Sequence, residues 1–108
     1  MPHIRVRGIE LEQLKKVSKE MIDDLQSIIE CPRDYFTLEY IHSTFIFDGE
    51  VSKGYPFIEV LWFDRGQEIQ DRAASAITDR VKKFGYEDVC VIFTDLPKHK
   101  YYENGQHF

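Results

Sequence analysis

Cysteine is scarce in this sequence: Cys31 and Cys90 are the only two and they form no CxxC pair. Two thiols are too few for a disulfide framework and suit a reducing, cytoplasmic compartment, with a single Cys31–Cys90 bridge left open. Long apolar runs are missing too. None approaches the ~18 residues of a membrane span, and the N-terminus lacks the apolar segment of a signal peptide, so no membrane partner is expected. Positive charge is in deficit, with 14 Lys and Arg against 19 Asp and Glu and a net charge of -5. A pI near 5.3 argues against a general nucleic-acid binder. The basic-aromatic run Lys98-His99-Lys100-Tyr101-Tyr102 is one local patch on an acidic chain and reads as a solvated turn. The histidines His3, His42, His99 and His107 show no HxxxH or HExxH spacing and join no carboxylate cluster, so neither a metal nor another cofactor is expected.

What is present is enough apolar residue for one core. At 108 residues, 43% hydrophobic and 14% aromatic, the chain is expected to form a single domain over residues 1–108. His3–Arg7 alternates, with Ile4 and Val6 on one face and His3, Arg5 and Arg7 on the other, as a half-buried strand requires. From Glu10 to about Ile29 the apolar residues recur at three- and four-residue steps, which predicts an amphipathic helix stopped by Cys31-Pro32. Tyr35 to Phe47, dense in aromatic and β-branched residues, reads as a long strand or a bent pair ending at Asp48-Gly49. Phe57 to Phe63 is almost continuously apolar and reads as a central strand buried on both faces, with Glu59 its anomaly. A second amphipathic helix is expected over Gln67–Phe84, closed by Gly85, and a fourth core strand over Val89–Phe93. The tail from Pro97 to Phe108 carries Asn104-Gly105 and reads as a short hairpin or a docking arm.

The order is β-α-β twice, a pseudo-repeat of residues 2–55 and 56–108, in which Pro2, Ile4 and Val6 align with Pro56, Ile58 and Val60 at one constant offset. The predicted class is α+β: a four-stranded mixed sheet with both helices on one face, because β-α-β crossovers are right-handed. The other face then lacks cover, which predicts an oligomer. A ferredoxin-like sheet uses the same element order but places the third strand between the first two.

Three features carry a family resemblance. They are the Met1-Pro2 start, the run Pro56-Phe-Ile-Glu-Val-Leu-Trp-Phe-Asp-Arg65-Gly66-Gln67 before a helix, and the strand Asp88-Val-Cys-Val-Ile-Phe-Thr-Asp. With them the chain resembles the tautomerase superfamily, which includes 4-oxalocrotonate tautomerase and macrophage migration inhibitory factor. The ending Tyr101-Tyr102-Glu-Asn-Gly-Gln-His107-Phe108, with Glu59-Val-Leu-Trp62-Phe63, is similar to an uncharacterised bacterial family of the same fold. The resemblance implies removal of Met1, Pro2 as general acid/base on a small enolisable keto acid, and a homotrimer in which one chain equals a dimer of the shorter members. It also implies Arg65 as an anchor for an anionic substrate; alternation in His3–Arg7 offers Arg5 and Arg7 as further contacts, and the tail of a neighbouring subunit offers Tyr101, Tyr102 or His107. A secondary amine can shuttle protons near neutrality only if apolar surroundings or nearby cations lower its pKa. The residues alone leave plainer readings open: Met1-Pro2 as the start of a strand, Arg65 as the partner of Asp64, and Arg5 and Arg7 as inter-subunit ion-pair residues.

The chain departs from the superfamily at Cys31, Cys90 and Ile92, where polar residues would stand. These departures motivate a competing reading, a non-catalytic binding or interaction protein on the same scaffold. Glu59 must be paired or protonated inside a sheet, so Arg5 or Arg7 is its expected partner, unless it faces the solvent channel of an oligomer.

Overall fold

The computed structural model describes residues 1–108. Strand β1 (His3–Arg7) leads into helix α1 (Leu11–Ile29), and strand β2 (Thr37–Tyr40) follows a short 3-10 turn. A hairpin of β3 (Phe45–Phe47) and β4 (Glu50–Ser52) precedes β5 (Phe57–Trp62), helix α2 (Gln67–Lys82) and β6 (Cys90–Asp95). The tail forms a second small hairpin, β7 (Tyr102–Glu103) with β8 (Gln106–His107). No helix is long and apolar enough to cross a membrane.

The main sheet runs β2-β1-β5-β6. β1 lies parallel to β2 and antiparallel to β5, and β5 lies parallel to β6. The first two core strands are therefore adjacent, which excludes the ferredoxin-like ordering. Alternation decides which side chains enter the core: Ile4, Val6, Ile58, Val60 and Trp62 are buried against Leu14, Val17, Met21 and Leu25 of α1 and Ala73, Ile77 and Val81 of α2. Trp62 can sit there fully buried because its indole N–H donates to Asp95 across the β5–β6 pair at 2.9 Å. The helices are tied by Arg80, which donates from Nε and Nη2 to Asp24 at 2.7 and 3.1 Å.

Local chemistry sets the boundaries. The Gln13 side chain accepts the Glu10 N–H at 3.1 Å, closing the start of α1. Its end is earlier and sharper than proline alone dictates: Glu30 takes the left-handed conformation at φ 59° and its N–H bonds Gln26 O at 2.9 Å. α2 stops at Lys82, two residues short of Phe84, because the N–H groups of Phe84 and Gly85 reach back only three residues, to Val81 and Lys82. Gly8, at φ 87°, has to be glycine, since a Cβ there would lie 2.2 Å from the Tyr55 carbonyl oxygen.

Three expectations need correction. The segment Tyr35–Phe47 is neither one strand nor a bent pair within the sheet: pairing with β1 ends at Tyr40, and Phe45–Phe47 belongs to a separate ribbon with β4. β5 is buried on one face only, because Phe57, Glu59 and Leu61 point to the side that no helix covers. The fourth core strand begins at Cys90 rather than Val89 and continues to Asp95, since its register is set by β5, where Trp62 stands opposite Asp95.

Candidate functional site

The antiparallel pairing of β1 and β5 brings the start of one strand to the end of the other, with His3 opposite Leu61. The chain start thus lies beside Trp62 and Phe63. At the same end of the sheet, the Thr37 N–H donates to the Pro2 carbonyl at 3.1 Å and the Leu96 N–H to the Trp62 carbonyl at 2.7 Å. The Pro2 ring is fully buried, so its direction is held both by the strand and by packing.

The charges around this end are unequal. Burial holds the Met1 amine below its ordinary value; the Arg65 and Lys98 cations push the same way, while Cys31 and Glu103 oppose them. Burial likewise pushes the Cys31 thiol up, against the pull of Arg65 and the amine. Arg65 reaches this cluster from the turn before α2, where its Nη1 donates to the Ile29 carbonyl at 3.4 Å. It thereby neutralises the C-terminal end of α1, whose last turn has no basic residue of its own. At the start of α2, beside Arg65, one backbone donor is already engaged: Asp64 accepts the Gly66 N–H at 2.9 Å. Asp64 therefore serves the α2 start and is not the partner of Arg65.

The tail folds back over the same place. Lys98 Nζ lies 5.6 Å from the centre of the Phe63 ring, and Tyr101 packs edge-on to Phe63 at 5.3 Å. Phe108 closes the cluster at 5.2 Å from Tyr101 and 5.4 Å from Phe63. The Tyr101 hydroxyl lies 3.1 Å from His3 Nε2, and the other ring nitrogen of His3 hydrogen-bonds the Thr37 hydroxyl. Tyr101 thus reaches the chain start from within its own subunit. Burial raises its phenol above the usual range. The contributions of His3, Phe63, Lys98 and Phe108 escaped the sequence reading, and the one signal for them was the aromatic tail.

Arg5 and Arg7 are elsewhere. They stand on the open face of β1, three and five residues beyond Pro2, or about 10 and 16 Å at strand rise. Arg7 Nη2 donates to Glu59 at 3.0 Å; Arg5 Nε donates to Glu39 at 3.1 Å, and its Nη1 lies 3.7 Å from Glu59. This answers the Glu59 anomaly: a carboxylate opposite Arg5 and one step from Arg7 is paired within the chain. Ile92 stands opposite Glu59 on the same open face, half exposed, and Cys90 pairs with Phe57 at the far end of β5. Both cysteines are free thiols at different ends of the sheet. A cleft of about 390 Å³ under the β3–β4 ribbon, lined by Gly8, Tyr40, Phe45, Val51 and Tyr86, also lies at the far end from Pro2.

A family model described as "Domain of unknown function (DUF1904)" matches residues 1–107. Among solved structures, the chain is similar to a domain of unknown function (DUF1904) from Sebaldella termitidis, with 48% identity, 100% of each chain covered and a TM-score of 0.95. At 19% identity it is similar to a macrophage migration inhibitory factor-like protein from Entamoeba histolytica, covering 99% of this chain and 98% of that one with a TM-score of 0.76. At 12% identity it is similar to fused 4-OT, described as an asymmetric trimer, covering 97% and 94% with a TM-score of 0.83. The last two show a shared α+β fold, that of the tautomerase superfamily. No functionally curated protein matches the sequence.

Proposed function

Because the chain belongs to the DUF1904 family and carries the tautomerase fold, we propose that it is a proton-transfer enzyme that interconverts the keto and enol forms of a small anionic keto acid. Pro2 is the general acid/base once Met1 has been removed. The observation that carries this reading is the setting of the chain start: the Pro2 ring is buried, and at the adjoining Met1 amine burial, Arg65 and Lys98 all press the pKa down, the surroundings that a proton-shuttling Pro2 amine needs. Arg65 spends one donor on Ile29 and keeps the rest of its guanidinium for a substrate carboxylate. Its positive charge both attracts the anion and disfavours the charged form of an amine at the chain start. Pro2 takes a proton from the carbon next to the carbonyl, and Tyr101 offers its hydroxyl to the oxygen on which negative charge collects.

The working form in this proposal is a cytoplasmic homotrimer. Two surfaces support it: the sheet face bearing Arg5, Arg7, Glu59, Leu61 and Ile92, which nothing in the chain covers, and the β3–β4 ribbon, which exposes Ile46, Phe47 and Val51 at 70%, 72% and 77%. Isolated two-stranded ribbons are marginal in water, so apolar residues on one call for a partner surface.

The test is the exchange of the C3 hydrogens of 2-oxobutanoate in D2O, followed by NMR, on protein whose intact mass shows Met1 absent. Replacing Pro2 with alanine is expected to slow exchange by ~100-fold or more, the usual scale of general-base catalysis. Unchanged exchange, or exchange by protein that keeps Met1, refutes the role of Pro2. The competing reading, a non-catalytic binding protein, draws on the hydrogen bond that already ties Arg65 to Ile29. It predicts that 2-oxobutanoate binds without exchanging.

A further inference from the structure

Resting on that reading, and extending it to the oxygen side of the reaction, we propose that Tyr101, His3 and Thr37 form a proton relay serving the substrate's carbonyl oxygen while Pro2 serves its carbon. Three observations place the relay. His3 is the neighbour of Pro2 in the strand, and alternation sends its side chain to the face opposite the helices. Both ring nitrogens are engaged, Nε2 with the Tyr101 hydroxyl at 3.1 Å and Nδ1 with the Thr37 hydroxyl. Tyr101 is held rigidly, edge-on against Phe63 and Phe108, and its carbonyl accepts the Phe108 N–H at 3.1 Å. A ring packed between two others, on an anchored backbone, costs little further entropy when it donates to a ligand.

The phenol alone is a poor acid. Burial raises its pKa, so a proton given to substrate has to be replaced at once by a better donor. An imidazole can do this, because the side chain ordinarily gains and loses a proton near neutrality through either nitrogen. In the keto-to-enol direction, the Pro2 amine takes the proton from carbon, breaking C–H and forming N–H. Tyr101 passes its hydroxyl proton to the carbonyl oxygen and receives one from Nε2 of protonated His3. In the reverse direction the enol proton moves to Tyr101, the Tyr101 proton moves to His3, and Pro2 returns its proton to carbon. The charge on His3 and that on Pro2 change in opposite senses, and solvent resets both. Thr37 holds Nδ1 in either state: its hydroxyl oxygen accepts the Nδ1–H, which is carried both by imidazolium and by the imidazole left when Nε2 gives up its proton. His3 acts through Tyr101 and touches no substrate.

The variants separate a relay from a merely structural hydrogen bond. Tyr101→Phe keeps the ring packing and removes the hydroxyl; His3→Gln keeps a donor toward Tyr101 but carries no exchangeable charge. Both are expected to slow 2-oxobutanoate exchange by ~10- to 100-fold, with the double variant no slower than the worse single, because residues acting as one unit are non-additive. Rescue by His3→Gln relative to His3→Ala overturns the relay. A second readout needs no turnover: oxalate, a planar mimic of the enolate, is titrated calorimetrically in two buffers of different ionisation enthalpy. Proton uptake on oxalate binding is expected in wild type and in Pro2→Ala, and is expected to vanish in His3→Gln and Tyr101→Phe. Uptake without any exchange leaves the relay standing and removes Pro2 as the base. Exchange with uptake unaffected by His3→Gln overturns the relay alone, and absence of both exchange and oxalate binding overturns the two together.

Discussion

Replacing Glu59 with alanine removes the acceptor that Arg7 uses within the chain. The Arg7 Nη2–Glu59 contact is 3.0 Å, the Arg7 and Glu59 side chains are only 32% and 24% exposed, and Arg7 Nε is buried without a partner. Arg5 loses a looser contact at 3.7 Å and keeps Glu39 at 3.1 Å, so the damage centres on Arg7. Breaking a fully buried pair costs about 3–5 kcal/mol, and a hydrogen bond to a charged group contributes about 1.5–3 kcal/mol. Water reaches a quarter to a third of these side chains, so we expect about 1.5–2 kcal/mol, or a fall in Tm of roughly 6–10 °C for a domain of this size. The assay is urea unfolding at one fixed protein concentration, because assembly would add a concentration-dependent contribution. The double variant Arg7→Met with Glu59→Leu is expected to recover most of the loss, since two apolar residues leave no charge unpaired. A cost below about 0.5 kcal/mol for Glu59→Ala, or strictly additive effects of the two single changes, refutes the assignment of Glu59 as the partner that Arg7 requires.

Phe47→Asp places a charge on an aromatic that is 72% exposed in the isolated chain; if a subunit covers it, about 140 Å² and about 3.5 kcal/mol of burial are lost, and sedimentation should show dissociation at micromolar concentration. Unchanged sedimentation would remove the ribbon from the interface. Arg65→Gln is expected to weaken oxalate binding by more than tenfold and, in protein that keeps Met1, to raise the pKa of the Met1 amine, both read by titration; oxalate affinity equal to wild type rules out Arg65 as the anchor. Gly8→Ala should lower the unfolding midpoint clearly, because the added carbon meets the Tyr55 carbonyl at 2.2 Å, and a neutral effect would mean that the β1 end relaxes without cost. Burial raises the pKa values of Cys31, Tyr86 and Tyr101 in the folded state. The unfolded chain therefore loses these protons first as pH rises, so stability should decline from the ordinary thiol range upward, and urea midpoints that stay flat into strongly alkaline pH would contradict it.

How much was legible follows from the range over which each signal acts. Helix α1 and the core face of β1 were readable because side-chain periodicity is local, and a run such as Leu14, Val17, Met21 and Leu25 declares its own face. Chain pairing was only partly readable. The Arg7–Glu59 pair could be anticipated because a carboxylate in a strand needs a cation, whereas the choice between Arg5 and Arg7 depended on register. The β3–β4 ribbon was missed as a separate unit because Phe45 and Ile46 carry the same β-forming composition whether they extend a sheet or leave it. Arg65 was found next to a turn, but its reach to Ile29 crosses from one helix to the other.

Residue order alone, through alternation, helical spacing and the two β-α-β units, determined the α+β class and the core-facing side chains of β1 and of both helices. Tertiary structure decided what surrounds that start. Antiparallel pairing of β1 with β5 sets Phe63 beside it, and the tail then folds Tyr101 onto His3 across nearly the whole length of the chain. Local propensity carries no information about such a contact, because a hydrogen bond between residues so distant in sequence exists only after the sheet has closed and brought its two ends together.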